Sequence, residues 1–198
     1  MFALVEDGKI TQMPKGNKGI TLNGNKYPAA IYTLWTEAER NAIGIYTIEI
    51  DSTNKKDEEW YNNTNITYAF GSGKVTGTYG TATAKAIADA DAVDTDGNKV
   101  KDENGKQIII EGLKTKKKRM IDNQCAELLA PSDWMVVRAT ETGGTMDSGW
   151  KTWRASVRTK CNSMQTQIDN ASDIDALAAL FIRDKDGVRP LGDFPEKE

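Results

Sequence analysis

Ile108-Ile109-Ile110-Glu111-Gly112-Leu113-Lys114-Thr115-Lys116-Lys117-Lys118-Arg119-Met120-Ile121-Asp122-Asn123-Gln124-Cys125 is where the hydrophobic period of this chain changes. Upstream, short runs of β-branched and aromatic residues alternate with turn dipeptides, as strands do. Downstream, Leu113, Met120, Ile121, Cys125, Leu128 and Leu129 recur at helical spacing and stop at Pro131. The switch predicts an α+β fold: a small antiparallel β-rich N-terminal domain, an extended arm and a C-terminal helical module. The expected domains are 1–88 (β-rich, with one short helix), 89–111 (acidic arm or hairpin linker), 112–182 (helical module) and 183–198 (charged tail).

Beyond Pro131, Ser132 is expected to cap a helix from Asp133 to about Glu141, broken by Gly143-Gly144. Trp150, Trp153, Val157, Cys161, Met164 and Ile168 then step by three or four residues. That is one apolar stripe, expected to bury against the helix carrying Cys125 and Leu128. Ser172 is expected to cap a last helix with Ile174, Leu177, Leu180 and Phe181.

Upstream of the switch, Asp7-Gly8 and Asn23-Gly24 each separate two short strand-like runs, which predicts two hairpins of a β-meander. Thr36 and Glu39 have capping-box spacing, so residues 37–43 read as a helix closed by Gly44. Ile45–Ile50 reads as a strand, and Ile66–Phe70 with Lys74–Tyr79 as a hairpin lidded by Trp60 and Tyr61. Residues 81–92 read as a linker or frayed helix. Asp94, Asp96, Asp102 and Asn104 suggest calcium, but Gly97 falls at the wrong position for an EF-hand-type loop. Turn chemistry explains Asp96-Gly97 and Asn104-Gly105, and no metal is expected.

The chain has 198 residues, 38% apolar and 28% charged, with a net charge of −3. That length admits one domain or two small ones, at roughly 150 residues per domain. No apolar run could span a bilayer, and Phe2–Val5 is too short for a signal-peptide core, so synthesis in the cytosol is expected. There is no histidine, which excludes Ser-His-Asp and Cys-His nucleophile systems and histidine zinc sites. No phosphate-binding glycine loop is present and no carboxylate pair is marked as an acid–base couple. The reading is therefore not an enzyme, with no cofactor. Cys125 and Cys161 read as reduced core thiols, or as a pair brought together by two packed helices.

Two groups of residues remain as candidates for partner binding. Residues 112–170 carry ten basic and six acidic side chains between two acidic stretches, and Lys114–Arg119 concentrates the positive charge. Lys116, Lys117, Lys118 and Arg119 would meet the upstream acidic arm, an acidic protein surface or, as an alternative, nucleic-acid phosphates. Trp134, Trp150 and Trp153 lie near Arg138, Arg154 and Arg158, residue types enriched at binding hot spots, although a bundle core uses them too and Trp153, on the stripe, is expected in the core.

Leu128-Leu129-Ala130-Pro131-Ser132-Asp133-Trp134-Met135-Val136-Val137-Arg138, followed by Trp153-Arg154-Ala155-Ser156-Val157-Arg158, resembles the C-terminal region of tail-fibre assembly proteins and related small tail proteins of tailed phages. The likeness covers roughly residues 112–170. Phe2–Val5 with Asp7–Ile10, and Glu39–Ile45, also resemble the front of such proteins, of marine-phage type. The acidic arm at 91–111 departs from the shorter forms. The resemblance implies a non-enzymatic virion tail component that links fibre or baseplate proteins through protein–protein contacts, with self-association also open. A second implied role is an assembly chaperone that does not stay in the virion.

Overall fold

Asp7 and Gly8 both take left-handed backbone angles (φ 50° and 73°), as do Asn23 and Gly24 (47° and 79°). Paired positive angles match the twist of the strands that a hairpin joins. They close β1 (Phe2–Glu6) on β2 (Lys9–Gln12), and β3 (Ile20–Leu22) on β4 (Asn25–Tyr27). Pro28 ends the second hairpin because it has no amide hydrogen. Two short helices follow, α1 (Ile31–Leu34) and α2 (Glu37–Ala42). The capping box of α2 is complete: Glu39 N donates to Thr36 Oγ1 (3.3 Å), and Thr36 N donates to Glu39 Oε2 (2.7 Å). The second bond holds the Glu39 carboxyl below its ordinary value.

β5 (Ile45–Asp51) and the short β6 (Tyr61–Asn62) precede β7 (Ile66–Gly71), which turns at Ser72-Gly73 into β8 (Lys74–Tyr79). β9 (Thr83–Ala84) returns to pair with β6. The main sheet has the order β2-β1-β5-β8-β7, with β5 and β8 parallel. This corrects the expected antiparallel meander. Residues 52–65 carry the chain past the sheet, so the β7–β8 hairpin enters from the edge and β8 returns beside β5 in the same direction. The β3–β4 hairpin stays outside that sheet and helps cover it: Leu22, Ile31 and Tyr32 pack on Leu4 and Ile45. Ala3, Ile48 and Val75 form a second core with Val5, Ile10, Tyr46, Tyr68 and Phe70. Trp60 is buried.

The structure describes residues 1–197 in this computed structural model, and the chain divides into two units, Met1–Ala84 and the part from Lys85 onward. The second begins with β10 (Ala90–Asp91), paired to β11 (Ile109–Ile110) across two consecutive turns. In the first turn Asp94 Oδ1 accepts the amides of Asp96 and Asn98. In the second, Asp102 Oδ1 accepts those of Asn104 and Lys106, and Asp184 repeats the pattern with Asp186 and Val188. These carboxylates are engaged by their own backbone, which is the turn chemistry expected of them.

α3 (Leu113–Leu129) starts at Gly112, whose amide donates to Asp89 Oδ1 (2.8 Å), while Thr115 Oγ1 donates to Asp89 Oδ2 (2.9 Å). Leu113 N and Lys114 N donate to the carbonyls of Ala86 and Ile87. Residues 86–89 thus satisfy amides that a helix start leaves without partners. A Cβ on Gly112 would lie 2.3 Å from the Ala88 carbonyl carbon, so only glycine allows this approach. The switch at residue 111 therefore lies inside the second unit, and residues 81–92, read as a linker or frayed helix, hold β9, β10 and this helix-start contact.

A 3-10 turn (Ala130–Ser132) leads into α4 (Asp133–Thr142), then α5 (Ser148–Asn170) and α6 (Ile174–Ala179). α3 and α5 pack antiparallel, since Lys118 pairs with Asp169 at one end and Arg154 reaches Leu129 at the other. Ile121 and Cys125 bury with Val157, Cys161, Met164 and Ile168. Two expected caps are corrected. Asp147 caps α5 through Trp150 N, and Asp173, rather than Ser172, caps α6 by accepting from Ala176 N (2.8 Å). Ser132 caps nothing: its hydroxyl donates to Leu129 O (2.9 Å). The segment after Phe181 is seated on its own unit, with Leu191 fully buried and Trp153 Nε1 donating to Pro195 O (3.0 Å).

Candidate partner-binding site

The run Trp134-Met135-Val136-Val137 puts apolar side chains around most of the circumference of one helix, so they cannot all face one core. The consequence is visible in α4: none of its residues is buried, and Trp134, Val136 and Val137 are 55%, 42% and 54% exposed. Gly143, in the left-handed region at φ 65°, ends the helix and turns the chain toward α5.

Two grooves flank α4. One, of about 610 Å³, is lined by Trp134, Met135, Arg138 and Ala139 on α4, with Met146 and Trp150 opposite. The other, of about 440 Å³, lies between Val136, Ala139 and Thr140 of α4, Met146 of the loop, and Lys151, Arg154 and Arg158 of α5. Trp150 is half-buried: it meets Trp153 edge-on (5.6 Å between ring centroids, 89°), and Lys197 Nζ sits 5.2 Å from its ring centroid.

Of the residues expected to bind partners, Trp134, Arg138 and Trp150 share the first groove, and Arg158 lines the second. Arg154 is committed to its own chain: only 4% exposed, it donates to Leu129 O (2.7 Å), Ser132 Oγ and Asp133 Oδ1 (2.6 Å). Most of the basic run is likewise engaged internally. Lys118 pairs with Asp169 (2.8 Å), Arg119 with Glu111, and Lys117 lies over the Phe181 ring (4.8 Å). Lys114 donates to Asp169 O (2.8 Å). Asp169 and Phe181 near the C-terminal ends of α5 and α6, with Glu111 just before α3, hold these charges at a helix start that would otherwise oppose them. Lys116 points to solvent without an ion pair among the described residues.

Val136, Ala139, Met146 and Lys151 were not singled out from the sequence. The four-residue apolar run of α4 and the seven-residue spacing of Lys151 and Arg158 were the available signals. Among the described residues no group of three acidic or thiol side chains is placed to hold a metal, and no helix is long and apolar enough to cross a membrane. Comparison with protein-family models, with curated proteins and with solved structures gives no match.

Proposed function

We propose that this chain is a tail protein of a tailed phage that remains in the virion and links fibre or baseplate proteins by binding them. The observation that carries the binding part is α4, a helix with no buried residue, whose exposed tryptophan and valines border two grooves. Isolated helices of this length are marginal in water, and packing normally supplies their stability. A partner surface would supply it here. The tail part rests on the likeness of residues 128–138 and 153–158 to phage tail proteins. Trp134 and Trp150 are the anchors, and Arg138 and Arg158 the charged rim. The basic run at 114–119 contributes only through Lys116, since its other members hold their own unit together.

Mass spectrometry of purified virions tests the reading. The chain is expected in them at a fixed ratio to another tail protein. Presence in infected cells with absence from virions would instead favour the assembly-chaperone role.

A further inference from the structure

Of the three basic residues along the second groove, only Arg154 has its charge satisfied. Arg154 is neutralised by Asp133, whereas Lys151 and Arg158, on the same face of α5, are exposed and form no ion pair among the described residues. No carboxylate lines this groove. The nearby Asp147 caps α5, its Oδ1 accepting from Trp150 N (3.1 Å). The opposite wall is aliphatic, with Val136 and Ala139 one helical turn apart on α4, and Met146 closes the loop end.

From this we infer that the groove between α4 and α5 takes a protein segment carrying two carboxylates on either side of two aliphatic side chains. Lys151 and Arg158 are two turns apart, about 10 Å along the helix axis. Side chains on one face of an extended segment sit at i, i+2 and i+4, so residues i and i+4 are about 13 Å apart, a span that the long Lys151 and Arg158 side chains bridge by splaying. Acid-aliphatic-x-aliphatic-acid places one carboxylate on each cation and turns the two apolar side chains to the opposite wall, onto Val136 and Met146. A nucleic acid fits the groove less well, because its lining offers no aromatic face on which bases could stack. The inference rests on the partner-binding reading and names the chemistry of the partner at that surface.

The test titrates the full-length chain with three short synthetic peptides in neutral flanks: Glu-Leu-Ser-Val-Glu, Gln-Leu-Ser-Val-Gln and Lys-Leu-Ser-Val-Lys. Amide shifts are followed by NMR. The glutamate peptide is expected to bind about tenfold more tightly than the glutamine peptide, with preference lost at high salt. Shifts should centre on Val136, Ala139 and Met146. K151E/R158E should abolish that preference, and K151Q/R158Q should weaken it, each with unchanged circular dichroism because both side chains are exposed. Equal binding of all three peptides, no binding, preference for the lysine peptide, or displacement by a single-stranded oligonucleotide or anionic vesicles would overturn the inference. Absence of the chain from virions would overturn the virion-component reading and leave this measurement standing, since the peptides report on the groove alone.

Discussion

Arg154 sits between two exposed turns of α5, yet its guanidinium is among the most buried polar groups of the chain. It closes the C-terminal end of α3 through Leu129 O, holds the Ser132 hydroxyl, and pairs with Asp133 at the start of α4. One planar fork thus ties three elements together, a task to which lysine is unsuited. Arg154→Ala leaves the buried Ser132 hydroxyl and a helix-end carbonyl without this donor. It should cost about 2–3 kcal/mol in urea unfolding, on the scale of charge-assisted bonds to buried groups. Arg154→Lys should recover only part of that loss. If Arg154→Ala unfolds like the parent chain, Arg154 is not the tie described.

Cys161 gives the second prediction at this scale. Burial first, then the neighbouring Cys125 and Asp122, push its thiol up to about 12. A thiol raised in the folded state stays protonated there while the unfolded chain ionises from roughly pH 8.5 upward. The stability it contributes is therefore complete below that pH and is lost as pH rises toward the folded value. Comparing urea midpoints of the parent chain and Cys161→Ala at pH 7.5 and 10.5 isolates this group. The parent should lose more stability across that interval than the variant. Equal losses would remove the ionisation argument.

At the scale of elements, the hairpins, α2 and the α5 stripe were legible because each rests on local chemistry: a turn dipeptide, a capping box, a helical spacing. What was not legible depends on partners distant in sequence. Nothing near Lys74–Tyr79 signals that β8 will run parallel to β5. Ser132 and Ser172 look like caps, but Arg154 draws on the first and the adjacent Asp173 displaces the second. Residues 86–89 join the helical unit through Asp89 and Gly112, a contact across more than twenty residues. The site was half legible: Trp134, Arg138, Trp150 and Arg158 border the grooves, whereas Arg154 and most of the basic run serve the fold. A consequence for α4 follows. With no buried residue, its amides should exchange with solvent much faster than the central amides of α3 and α5. Protection of α4 matching that of α5 would show that it is stabilised by something other than a partner.

For the whole molecule, two units share one chain, and each has its own core. A chain with two separately packed units can present one surface to each of two neighbours, which suits a linking component of an assembly. The surface assigned here is the α4–α5 tip, where exposed valines and tryptophan meet Arg138, Lys151 and Arg158. The most direct measurement places a photo-reactive amino acid at Val137, exposed on α4, in phage grown with the altered chain, and identifies its cross-links in purified virions. The predicted result is cross-linking to one other tail protein, abolished by Trp134→Ala. Virions that contain the chain but yield no such cross-link would contradict the assignment of α4 as the surface that binds.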